Sequence, residues 1–409
     1  MYQSILKSKL ARFLFPLFIL CLSTLSLGQF SVIYKFNEGS IYLFDALIAL
    51  FDLIGIVYLL SIKKSAKIPL PILFLVAFCA LGASSLAFTP LNLEPTEFLI
   101  SVSYLVRFFS YVIFALVTWN LIELRVFQVD KIQRAIIYTG LFLFVAGLIQ
   151  LILLPNLETL DPTLGWDPHK NRMASTFFDP NFLGIYFVIC LALSLKQRIL
   201  PKKFASISYL STIIFLTGIF LTFSRSAWLA TSVLLFFALL RKKSLLLVSL
   251  AIVLLAVFAV PRIQTRISGV TDPQDSASFR LISWKNTWKV AKENWVFGVG
   301  YNAFRYAQKE YGFLDDSNLT ARSGAGSDSS LLLVFATTGV FGLTFFAGFF
   351  VSTILTALKH IDPITVGLIL ALLIDSLFIN SLFYPQIVMT GLLSMVVAAR
   401  GFEPLTSAM

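Results

Sequence analysis

Three polar stretches of this 409-residue chain carry isolated arginines among aromatic and small residues. The first runs from Lys170 to Asn181 and holds Arg172. The second, Thr222 to Ala230, holds Arg225. The third is the long interval from Pro261 to Asp328, with Arg262, Arg266 and Arg280. A guanidinium stays charged and grips phosphate oxygens through paired hydrogen bonds. One such arginine near a membrane surface is usually structural, its head reaching toward headgroups. Three separate segments presenting them favour a cradle for a diphosphate. The long interval ends in Ser327-Asp328-Ser329-Ser330. Asp328 there is either the N-cap of the next helix or a general base that takes a proton from a sugar hydroxyl.

Other chemistries lack their residues. The sequence has no metal-spaced His/Cys cluster, no phosphate-binding loop and no Gly-x-Ser-x-Gly elbow, so neither a metal nor a cofactor is expected. His169 and His360 are the two histidines. Cys21, Cys79 and Cys190 lie within apolar runs and suggest no disulfide framework.

The elements that must position the arginines are membrane helices. The chain is 58% hydrophobic and 13% charged, whereas a soluble domain is about half apolar and about one quarter charged. Apolar runs near the length of a membrane span lie at 11–29, 41–62, 70–88, 99–122, 135–154, 181–195, 205–223, 226–240, 244–260, 329–353, 363–382 and 385–399. The expected fold is an all-α, polytopic bundle of about twelve transmembrane helices, one domain over 1–399. A large, partly helical loop at 261–328 separates helices nine and ten. The first run is read as an uncleaved helix, since no clear cleavage site follows it.

Basic residues gather in alternate connections: Lys7, Lys9 and Arg12; Lys63, Lys64 and Lys67; Arg125, Lys131 and Arg134; Lys196, Arg198, Lys202 and Lys203; Arg241, Lys242 and Lys243; Lys359; Arg400. The positive-inside rule then makes both termini cytoplasmic. It places 155–180, 224–226 and 261–328 together on the outer side. The net charge of +11 is a topology signal, and no nucleic-acid partner is expected.

Asp45, Asp52, Arg107 and Asp375 fall well inside apolar runs. Each should pair or line a cavity, because an unpaired one costs about 2.5–3.5 kcal/mol in a bilayer. Arg107 is expected to pair with Asp45 or Asp52, either as a plain clamp or as support for the substrate cavity. Asp375 favours a polar cavity in the outer half. In the long loop, apolar spacing predicts a helix over 276–293 capped by Asp275 or Ser276. Gly298 and Gly300 break it, and a second amphipathic piece follows over 302–311. Trp284, Trp288 and Trp295 suit an interface-lying helix facing membrane lipid, or the floor of a sugar or isoprenoid site.

Four patterns then resemble the O-antigen ligase and polymerase family of bacterial envelope glycosyltransferases. They are Arg172…Ser175-Thr176-Phe177…Pro180-Asn181, Ser224-Arg225-Ser226-Ala227-Trp228, Arg280…Trp284…Phe297-Gly298-Val299-Gly300…Phe304, and Asp328-Ser329-Ser330…Gly339…Gly342. The resemblance spans 100–355. It implies metal-independent glycosyl transfer on the outer face of the bacterial cytoplasmic membrane. The donor would be a polyprenyl-diphosphate-linked oligosaccharide, and the acceptor a glycan or lipid. Arg172, Arg225 and Arg280 would hold the diphosphate, Asn181 and Trp284 would support the cavity, and Asp328 would be the base. Ligases of the family carry a histidine where this chain has Asp328 and Ser329, a difference that fits polymerase-like members better. A lipid-glycan flippase, a transporter and a non-catalytic glycan-binding member stay open as alternatives. The tail, 400–409, breaks the pattern and is expected not to be family sequence.

Overall fold

The structure is a computed structural model that describes residues 2–36, 39–62, 67–160, 169–197, 205–240, 276–315 and 326–400, with scattered positions between 242 and 265. The ninth apolar run, Asp275, Arg262, Arg266, Ser323–Ala325 and the residues after Arg400 lie outside the described residues.

The chain is helical: α1 Tyr2–Ser26, α2 Leu43–Ser61, α3 Leu70–Ala87, α4 Pro95–Glu123, α5 Val129–Leu153, α6 Pro180–Gln197, α7 Ala205–Thr222, α8 Arg225–Leu239, α9 Ser276–Glu293, α10 Phe304–Glu310, α11 Ser330–Lys359, α12 Pro363–Asp375 and α13 Pro385–Arg400. Among the described residues, five helices are long and apolar enough to cross a membrane: α2, α3, α4, α5 and α11. Six shorter apolar helices pack with them: Leu10–Ser26, Pro180–Lys196, Ser208–Thr222, Arg225–Leu239, Pro363–Asp375 and Pro385–Ala398. The protein is thus a membrane helical bundle; these helices are those of the described residues, and the ninth of the expected twelve runs lies largely outside them.

The all-α expectation holds, with one short addition: Val32–Phe36 (β1) and Gly39–Tyr42 (β2) form an antiparallel hairpin between α1 and α2, with a bulge between Val32 and Tyr34. One expectation needs correction: the eleventh apolar run is not one helix to residue 382. It ends at Asp375, turns, and makes a short 3-10 turn at Ser381–Phe383 before α13. Hydropathy over the run hides the break because Leu377, Phe378 and Ile379 are as apolar as the helix itself.

The intramembrane pair is resolved. Arg107 on α4 meets Asp45 on α2 at 2.9 Å, both side chains 15% exposed. Asp45 caps α2 by accepting from the Tyr42 N–H (3.0 Å) and also accepts from the Tyr111 hydroxyl (2.8 Å). Arg107 donates to the Ser40 carbonyl and lies over the Tyr104 ring. The pair therefore clamps the hairpin to α4, while Asp52 takes the Ser110 hydroxyl instead at 2.7 Å. Arg107→Ala leaves a buried carboxylate without its cation and is expected to lower stability by about 3–5 kcal/mol. Thermal unfolding of the purified protein measures this, and an unchanged midpoint would refute the clamp.

The hairpin end of α1 also braces the Arg172 segment. Thr176 Oγ1 donates to the Ser26 carbonyl at 2.7 Å, and Phe30 packs on Phe178 with ring centroids 5.4 Å apart.

Candidate functional site

Three helix N-termini meet at one end of the bundle. The first is that of α6: Pro180 opens the helix, and the Asp179 carboxylate accepts from the Asn181 and Phe182 N–H groups at 2.8 and 3.3 Å. The second is α8, where Ser224 caps and Arg225 occupies the first helical position. The third is α11, capped by Ser329, whose hydroxyl accepts from the Leu332 N–H at 3.4 Å. Helix N-termini carry partial positive charge and unpaired N–H groups, which suits an anion.

Arg172 ties the first two together. Its Nε donates to the Thr222 carbonyl at 2.8 Å, and one terminal nitrogen donates to Asn181 Oδ1 at 2.9 Å. The side chain is buried, and the Met173 N–H pairs with the Leu221 carbonyl at 2.9 Å. Asn181 thus acts first on Arg172. Arg225 is half-buried next to this seam. The connecting backbone is strained: among the described residues seven non-glycine positions have φ between +48° and +59°, and Asn171, Ser175, Phe178 and Phe223 are four of them. Such conformations cost about 1–3 kcal/mol each and persist where surrounding structure enforces them, often at functional sites.

The α9 helix, Ser276–Glu293, ends where its apolar spacing predicts; of its two expected caps, Ser276 lies in the helix and Asp275 lies outside the described residues. Three of its side chains hold the end of the long loop. Ser283 Oγ accepts from the Asp328 N–H at 3.0 Å, Trp284 Nε1 donates to the Asp328 carbonyl at 3.1 Å, and Thr287 Oγ1 donates to Ser327 Oγ at 2.8 Å. Trp284 is therefore a brace as well as a wall, whereas Trp288 and Trp295 stay more than half exposed. Because Ser329 caps α11, the Asp328 carboxylate is not spent on capping. Burial pushes this carboxyl above the ordinary range, Asp179 adds to the rise, and Arg280 and the Ser283 hydroxyl oppose it.

Asp375, at the end of α12, belongs to the same cluster. It is fully buried and has Arg280, Ser226, Ser381 and Asp179 as its electrostatic neighbours. The sequence predicts that it lines a polar cavity and names no partner for it. The structure therefore gathers Arg172, Asn181, Arg225, Arg280, Trp284 and Asp328, and leaves Arg107 and Asp45 in the hairpin clamp.

The glycines of the long loop explain its attachment. Residues 295–300 cross α11 at a kink where Gly339 has φ +65° and ψ −168°. Val299 and Gly300 N–H groups donate to the Ala336 and Thr337 carbonyls at 2.9 and 3.0 Å, and the Val340 N–H donates to the Trp295 carbonyl at 2.8 Å. The helix gives up its own bonds there and the loop replaces them.

Residues 210–347, about a third of the chain, match the family model described as O-antigen ligase. Over this segment the chain is O-antigen ligase-like. The match takes in Arg225, the braced α9 helix, the Gly298–Gly339 crossing and Asp328. The O-antigen ligase-like segment stops short of Arg172 and Asn181 on one side and Asp375 on the other, which the fold packs against it. No curated protein matches the chain.

Proposed function

We propose that this protein is a membrane glycosyltransferase that acts on a polyprenyl-diphosphate-linked glycan at the outer face of the bacterial cytoplasmic membrane, with both termini inside. The observation that carries the reading is the Asp328 carboxylate, spared from capping α11, its loop fixed by three hydrogen bonds from α9, beside Arg280 and the Ser283 hydroxyl. In the reaction, the acceptor hydroxyl gives its proton to Asp328 as its oxygen attacks the anomeric carbon of the donor sugar. The bond from that carbon to the diphosphate breaks, and the polyprenyl diphosphate leaves with the electron pair. Arg225 and Arg280, aided by the three helix N-termini, take up the charge on the leaving group. Arg172 holds the cradle in shape through Thr222 and Asn181. A carboxylate at the base position favours polymerisation, with a growing glycan as acceptor, over ligation to a lipid core.

The test is Arg225→Ala in protein that still reaches the membrane. Loss of one charge-stabilising donor is expected to slow transfer about 100-fold or more, read as shortened glycan chains. Glycan of normal length and amount would sink the diphosphate assignment. Transport of lipid-linked glycan without any new glycosidic bond would favour a flippase instead.

A further inference from the structure

The connection between α12 and α13 carries polar atoms that the fold does not use. The Asp375 carboxylate has the Ser226 and Ser381 hydroxyls as its hydrogen-bonding neighbours, and neither closes to full hydrogen-bond geometry on either oxygen. Asn380 Oδ1, Ser381 Oγ and Gln386 Oε1 are likewise buried without a partner among the described residues. Asp375 and Ser381 are 0% exposed and Gln386 is 2% exposed. Buried polar atoms are nearly always paired, because leaving one unpaired is costly. Four such side chains within twelve residues mark a place kept for something else.

The segment also lies at the right place. Its backbone is knit to the start of α11: the Ser330 N–H donates to the Ser376 carbonyl at 2.8 Å, and the Leu382 N–H donates to Ser330 Oγ at 3.2 Å. Phe378 packs on Trp284 with ring centroids 5.9 Å apart, and Tyr384 stacks on Phe182, next to Asn181, at 4.0 Å. It thus runs from the Asp328 brace to the Arg172 clamp. The unpaired atoms are two carboxylate oxygens, two amide carbonyl oxygens and a hydroxyl. An acceptor-rich set of this kind receives O–H donors and repels phosphate oxygens. Aromatic rings beside it suit the apolar face of a pyranose.

We infer that the Asp375–Gln386 segment is the sugar-binding face of the site, its buried acceptors taking hydroxyls of the glycan while the arginines take the diphosphate. The inference rests on the glycosyltransferase reading above.

The experiment uses full-length protein in nanodiscs, with undecaprenyl diphosphate and undecaprenyl-diphosphate–N-acetylglucosamine as probes. Wild type is expected to bind the sugar-bearing probe more tightly. Asn380→Ala and Ser381→Ala should each weaken that probe about tenfold and leave the sugar-free probe unchanged. Because each removes an unpaired atom, thermal stability should stay level or rise, which a merely structural role would not allow. Gln386→Leu supplies the same comparison if either alanine variant does not accumulate. Equal binding of the two probes by wild type, unchanged binding by the variants, or loss of stability with loss of both probes would each overturn the inference. Arg225→Ala run alongside separates the two ideas. If it leaves the sugar-free probe unaffected, the diphosphate reading fails whatever the alanine variants do.

Discussion

Asp328→Asn is expected to reduce glycan transfer by about 10²–10⁴-fold, the usual contribution of a general base, with the protein folded and in the membrane. Asparagine keeps the size of the side chain and the backbone bonds to Ser283 and Trp284, and removes the negative charge together with the capacity to accept a proton. The cap of α11 is untouched because Ser329 supplies it. The pH dependence follows from the raised carboxyl. A base works ionised, so activity falls as pH drops through its folded value, and the acid limb of the rate profile should lie above that of an ordinary carboxylate. Arg280→Gln removes the cation that opposes the rise, so the limb should move further up. For stability the sign is reversed. A group whose folded value is raised holds its proton more tightly in the folded state, so its favourable contribution is present at low pH and lost as pH rises through that value. Full transfer by Asp328→Asn, or an acid limb unmoved by Arg280→Gln, would remove Asp328 from the reaction.

The second large effect lies at the crossing of the long loop and α11. A Cβ at Gly339 would stand 2.0 Å from the Val296 carbonyl oxygen, and one at Gly298 would stand 2.3 Å from the Thr337 carbonyl carbon. Both neighbours are backbone and cannot rotate away. Both glycines also have positive φ, +65° and +73°, which any other L-residue resists. Gly339→Ala and Gly298→Ala should each cost more than about 4 kcal/mol, the range reached only when packing and backbone fail together. The measurement is the amount of folded protein extracted from membranes. Normal yields with normal unfolding midpoints would show that the crossing is not needed. By contrast Gly312, also at positive φ, has open space around its Cβ position and should tolerate alanine with a much smaller loss.

Much of this was legible in the residues. The apolar spacing from Phe279 to Ala291 gives α9 its helix and its end, and the depth of Arg107 gives it an aspartate partner, because local periodicity and the cost of burying a charge are visible in one dimension. Asp328 illustrates what was not. A serine and an aspartate side by side are both good caps, and only the packed loop shows that Ser329 caps and Asp328 is spared. The hairpin at Val32–Tyr42 is short and merges with its apolar flanks. The break at Asp375 is masked by apolar residues on its far side. The pairing of Gly298 with Gly339 joins two points distant in sequence, so the glycines read as simple helix breakers until the second one is found beside the first.

That same crossing sets an order of assembly. The N–H groups of Val299 and Gly300 find their acceptors on Ala336 and Thr337, residues that leave the ribosome later and belong to a helix that must first enter the bilayer. Until then the loop has no seat. On the proposed topology it waits on the wet side of the membrane, where water can satisfy the unpaired groups. The proposed site therefore closes late: the loop gains its seat only when α11 inserts, the Asp375 segment joins after that, and any chain that stops before Ala336 exports a loop with nothing to close upon.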